Sequence, residues 1–106
     1  MGTFSMACHA QAEFKIGAVV PFSGPFGVLG QNVKRAVELA VEDRGGKVGN
    51  RRIEVIWEDS ETKPQVAVQK TSRLIAGGID TLFGAATSGE TLAMMPLAAQ
   101  AKIPTW

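Results

Sequence analysis

The sequence predicts an α/β domain, a parallel sheet with helices on its faces. Three observations carry this. Strand-like runs alternate with helical periodicity three times along the chain, the joints between them are short, and the first run is solidly apolar, as a strand covered on both faces is. Parallel strands joined through helices cross over right-handedly. The second run alternates apolar with charged residues, which suits a wetter position at the sheet edge. Numbered by unit, the expected strand order is therefore 2-1-3-(4), with the first strand central and the start of a fourth beyond the third.

The first strand is Ile16-Gly17-Ala18-Val19-Val20, bounded by Pro21, with a loop over residues 22–30. Val33, Ala36, Val37, Ala40 and Val41 then recur at helical spacing, with Lys34, Arg35, Glu38 and Glu42 on the other side. Gly45-Gly46 stops this helix. The second unit begins at Arg52, with Ile53, Val55 and Trp57 alternating with Glu54 and Glu58. Thr62-Lys63-Pro64-Gln65 has the spacing of a capping box with proline in the first turn. The helix behind it carries Ala67, Val68, Thr71, Leu74 and Ile75 on one side and stops at Gly77-Gly78. The third unit is a strand over residues 79–85, then a helix from Gly89 to about Lys102, capped by Ser88 and kinked at Pro96. Ile103-Pro104-Thr105-Trp106 starts a fourth strand.

Bulk properties narrow the function classes. The chain has 106 residues, 45% apolar and 20% charged, with a formal net charge of +1. That suits one small core and does not suit two lobes with a cleft between them. Acids and bases are mixed along the chain, so nucleic-acid binding has no electrostatic support. No apolar run is long enough to span a bilayer. The single cysteine, Cys8, excludes an intrachain disulfide. Residues 1–12, MGTFSMACHAQA, lack Lys and Arg, yet Ala10-Gln11-Ala12 is a small-x-small cleavage pattern directly before the first strand. We read them as the tail of an export signal, the alternative being a disordered leader; either packs poorly. Ser5-Met6-Ala7 matches a lipid-attachment site at Cys8 poorly, and His9 is expected in solvent.

In sheets of this type ligands sit beyond the carboxyl ends of the strands, where the strand order reverses. Two loops lie there, residues 22–30 and residues 86–90. Gly24, Gly27 and Gly30 form neither a G-x-G-x-x-G nor a G-x-x-x-x-G-K-[ST] pattern, so a flexible turn is preferred to a nucleotide cradle. Thr87-Ser88-Gly89 opens a helix, and free amides with a hydroxyl at a helix start form a carboxylate site. The competing possibility is that Ser88 only caps its own helix. Glu90 stabilises the helix start but weakens its pull on an anion. Glu58, Asp59 and Glu61 cluster after the second strand without a histidine, which favours a solvated loop over a metal site. No nucleophile–base arrangement can be built, since the only His and Cys lie at residues 8 and 9. Met94-Met95 suits core filling.

Four segments add a resemblance. KIGAVVPFSGPFGVLG over residues 15–30, the run Gly45-Gly46-Lys47-Val48-Gly49-Asn50-Arg51, Lys63-Pro64-Gln65 followed by Ala67-Val68, and Gly84-Ala85-Ala86-Thr87-Ser88-Gly89 resemble, in order and spacing, periplasmic solute-binding proteins of ABC importers of the branched-chain amino acid type. The resemblance implies a type I periplasmic binding fold of two lobes, with residues 13–106 an incomplete N-terminal lobe. It implies capture of a small solute, an amino acid or related carboxylate, for a membrane permease, in the periplasm, without a cofactor, a metal or covalent chemistry. It also implies ligand contacts at Thr87, Ser88 and Gly89, with Leu29 lining the side-chain pocket. A ligand-sensing receptor domain of the same fold and a fragment of a doubly wound enzyme are the alternatives.

Overall fold

The computed structural model describes residues 13–106, so the expectations for residues 1–12, with Cys8 and His9, lie outside the described residues. In chain order the elements are β1 (Phe14–Val20), α1 (Gly27–Asp43), β2 (Lys47–Val48), β3 (Arg51–Asp59), α2 (Pro64–Ala76), β4 (Thr81–Gly84) and α3 (Ser88–Gln100). The sheet runs β2-β3-β1-β4. β1 pairs in parallel with β3 (Ala18 beside Trp57) and with β4 (Ala18 beside Phe83). Thr105 extends the sheet in parallel beyond Leu82, through Leu82 N–H to the Pro104 carbonyl at 2.9 Å and Trp106 N–H to the Leu82 carbonyl at 2.8 Å. The three βα units thus take the expected order, with the fourth strand begun. β2 is an addition, a two-residue antiparallel partner of β3 that follows Gly45-Gly46 and is joined to β3 by the turn at Gly49-Asn50.

Continuous apolarity made β1 central, and Ala18, Val19 and Val20 are each at most 1% exposed. One face of the sheet is closed by α2 and α3 side by side. Ala67, Thr71 and Leu74 of α2 and Glu90, Met94 and Ala98 of α3 are buried there, against Val19, Ile79 and Leu82. α3 runs unbroken through Pro96, which lies on its exposed side.

The other face is covered by α1 alone. Val33, Val37 and Val41 are half-buried, and Ala36 and Ala40 are exposed, so the apolar stripe read from the sequence is only partly covered. Between α1 and the sheet runs a crevice of about 280 Å³ lined by Ile16, Val37, Val41, Ile53 and Phe83 among others. Gly30 is the one buried residue of α1. A side chain there would collide with the Pro21 carbonyl, so glycine lets the helix start cross directly over the end of β1.

The capping box expected at residues 62–65 does not form. Thr62 takes a left-handed φ of 59° and Lys63 is the N-cap, with no side-chain cap. The Thr62 hydroxyl instead donates to the Ser23 carbonyl at 3.0 Å. A contact between loops has overridden the local motif.

Candidate ligand site

The carboxyl ends of β1, β3 and β4 are organised by two sets of side chains. At the end of β3, Asp59 accepts from Phe22 N–H at 2.8 Å, the Ser23 hydroxyl at 2.7 Å and Glu61 N–H at 2.8 Å. Burial pushes its carboxyl up, but these hydrogen bonds outweigh it and hold the group below the ordinary Asp value. Asp59 therefore ties the loop after β1 to the loop after β3. Glu58 faces Lys70 at 3.3 Å and Arg73 at 3.8 Å, and Glu61 faces Lys63 at 3.9 Å. The acidic cluster is engaged in loop tethers and ion pairs.

The second set surrounds the start of α3. Gly84 closes β4 with a φ of 140°, and a Cβ there would strike the Val19 carbonyl. The chain then turns through Ala85 and Ala86 into Thr87. Thr87, with extended backbone, is the N-cap of α3, and its Oγ1 accepts from Glu90 N–H at 3.3 Å. The same hydroxyl donates to Glu90 Oε2 at 2.6 Å. The Thr91 hydroxyl donates to the Thr87 carbonyl at 3.0 Å and accepts from Ala85 N–H at 3.2 Å, which fixes the loop's curvature.

This corrects the expected cap: Thr87, not Ser88, ends the helix. The extended backbone at residue 87 aims its oxygen at the third amide of the helix, whereas Ser88 already lies in the first turn. The spacing of Thr87 and Glu90 is itself the capping-box signature, so the signal was present in the sequence. Thr91 is the residue that sequence reasoning missed. Ser88 and Gly89 are exposed. Neither their amide N–H groups nor the Ser88 hydroxyl has a hydrogen-bond partner among the described residues. A Cβ on Gly89 would meet only Pro64 Cγ, at 3.7 Å, so the approach is open.

Ser88 borders an open pocket of about 480 Å³ lined also by Ala85, Ala86, Thr87, Thr91 and Leu92, with Gly89 next to it in the first turn of α3 but not among the lining residues. Leu29, expected in the loop after the first strand, lies in the first turn of α1, because that helix starts at Gly27. It is 42% exposed and is not among the residues lining this pocket. The structure thus brings Thr87 and Ser88 to the pocket, keeps Gly89 beside them in the first turn of α3, and leaves Leu29 apart.

A family model described as periplasmic binding protein matches residues 13–106. The chain belongs to that family. Among curated relatives, Leu/Ile/Val-binding protein homolog 6 of Brucella abortus is 29% identical over 98% of this chain and 28% of its own length. Homolog 7 of Brucella abortus is 33% identical over 92% of this chain and 25% of its own. This periplasmic binding protein chain therefore spans little more than a quarter of the relatives it matches. Solved structures agree. An ABC transporter solute-binding protein from R. palustris in complex with benzoate superposes with a TM-score of 0.82 at 37% identity, covering 88% of this chain and 26% of that one. The branched-chain amino acid transporter substrate-binding protein of Streptococcus pneumoniae in complex with isoleucine gives a TM-score of 0.82 at 28% identity, covering 88% and 28%. The fold is that of the type I periplasmic binding proteins, of which this chain supplies part of the first lobe.

Proposed function

We propose that this chain supplies the carboxylate-holding wall of a solute-binding protein, the component of an ABC importer that captures a small solute in the periplasm and hands it to a membrane permease. The observation that carries the proposal is the start of α3. Thr87 does the capping, which leaves Ser88 Oγ and the amides of Ser88 and Gly89 as unused donors where the helix dipole favours an anion. Benzoate and isoleucine, the molecules bound in two structural neighbours, differ in every respect except a carboxylate. An amino acid or an aromatic acid is the solute class that follows. Leu29 is the proposed apolar contact, reached by a ligand long enough to extend from α3 to the first turn of α1. Capture in this proposal is non-covalent, through the hydrogen-bond donors that the start of α3 presents.

Tight capture requires a ligand enclosed on both sides, and these residues form one wall, so this chain is expected to bind weakly. Ligand-observed NMR suits such affinities. Isoleucine and benzoate are expected to give saturation-transfer signals with the chain, and isoleucinamide and benzamide much weaker ones. In Ser88→Ala the carboxylate signals should fall by an amount corresponding to about 1–3 kcal/mol, the usual loss for a hydrogen bond to a charged group. Equal signals from acids and amides, or no effect of Ser88→Ala, would contradict the proposal.

A further inference from the structure

Glu90 is fully buried, 0% exposed, at the third position of a helix whose start faces the pocket. Its Oε2 accepts a hydrogen bond from the Thr87 hydroxyl at 2.6 Å, and its Oε1 has no partner among the described residues. A buried carboxylate is costly unless donors face it, and the Thr87 hydroxyl is the one donor among the described residues that reaches it. The same Thr87 oxygen accepts from Glu90 N–H, so the hydroxyl's proton and its acceptor are both spent on Glu90. We infer that Glu90 is a specificity-determining residue of the α3 site, one that keeps the Thr87 hydroxyl from a bound carboxylate and sets its own charge against the helix dipole.

This rests on the carboxylate site proposed above and deepens it. Of the three residues at the helix start, Thr87 shapes the loop while only Ser88 and Gly89 hold the ligand. The field that would draw an anion is partly offset from beneath. The site then selects a solute by its contacts beyond the carboxylate, and takes a singly charged acid in preference to one carrying two carboxylates. Glu90 acts through Thr87 and through its charge, and touches no ligand itself.

The test titrates the full 106-residue chain and its Glu90→Gln variant with benzoate and with benzamide, reading ligand line broadening by NMR. Removing the charge is expected to tighten benzoate about three- to tenfold while benzamide stays within about twofold. An unchanged benzoate-to-benzamide ratio overturns the inference, and a benzoate response in the unaltered chain would then still support the site. Absence of a benzoate response in both proteins overturns the inference and the site together. Equal changes for both ligands mark a structural role and also overturn it. Glu90→Met is the second variant, neutral and of similar bulk, and must shift the ratio the same way. One further readout needs no variant. In the unaltered chain benzoate should move the Ser88 Cβ resonance and leave that of Thr87 in place. A Thr87 shift as large as that of Ser88 overturns the inference whatever the variants do.

Discussion

The two faces of the sheet are covered to different degrees. Beneath α2 and α3, Val19, Ala67, Leu82, Met94 and Ala98 are at most 1% exposed. Beneath α1, Ile16, Val37, Val41, Ile53 and Phe83 line a crevice and stay half-buried. Both faces are apolar in sequence, so composition does not explain the contrast. Width does. A helix is about 10 Å across and strands lie about 4.8 Å apart, so two adjacent helices roof β3, β1 and β4 where one cannot. The lesson is that periodicity reports which face of a helix is apolar, and the number of neighbours decides whether that face is dry. The candidate site belongs to the well-covered side, where α3 is fixed from below by its packing against α2 and β4.

Substitutions can break or sharpen this contrast. The largest effect is expected at Leu82, fully buried under α3. Leu82→Ala should cost about 2–5 kcal/mol in urea unfolding, while Val37→Ala on the open side should cost about 1 kcal/mol or less. Equal losses would mean that the α1 face is packed as tightly as the other. Thr87→Ala comes next. It removes the cap of α3 and strands the buried Glu90, for about 1–3 kcal/mol, and Thr87→Ser should recover most of it.

Asp59 gives a smaller, pH-dependent effect. Its folded pKa lies below its ordinary value, so its contribution is fully present above the unfolded pKa of about 3.9 and is lost as the pH falls through the lower folded value. Asp59→Asn should flatten that acid limb in pH-dependent unfolding and leave the slope above pH about 5 unchanged. An identical acid limb in both proteins would show that Asp59 does not tie the two loops together. The smallest expected effect on stability is Ser88→Ala, within about 0.5 kcal/mol, since Thr87 does the capping. A loss near that of Thr87→Ala would return Ser88 to the role of cap and remove it from the site.

Much of the fold was legible because the signals are long. The unbroken apolarity of Ile16 to Val20 made β1 central, and the alternation through Ile53, Val55 and Trp57 put β3 toward the edge. Single-residue features were less legible. Thr62 and Gln65 have capping-box spacing, as do Thr87 and Glu90, yet only in the second pair does the first residue cap the helix, with Thr87 Oγ1 bonded to both the N–H and Oε2 of Glu90. The difference is tertiary. Thr62 is drawn to the Ser23 carbonyl, while nothing competes with Glu90 for Thr87. The cluster at Glu58, Asp59 and Glu61 reads as a solvated loop, yet Glu58 and Asp59 are the last two residues of β3 and are half-buried, and only Glu61 lies in the loop. The tether from Asp59 to Phe22 spans 37 residues, and no local pattern announces it. For the same reason Leu29 was placed in a loop. The start of α1 depends on Gly30 passing over the Pro21 carbonyl, a contact made only once β1 and α1 are folded together.

The most direct test of the carboxylate site is an amide-resolved NMR titration of the chain with isoleucine and with benzoate. The Ser88 and Gly89 amide cross-peaks are expected to shift furthest and downfield, in the same direction for both acids, and to stay in place with isoleucinamide and benzamide. Shifts centred instead on Val37, Val41 and Ile53, or no response from Ser88 and Gly89 at saturating acid, would contradict the account.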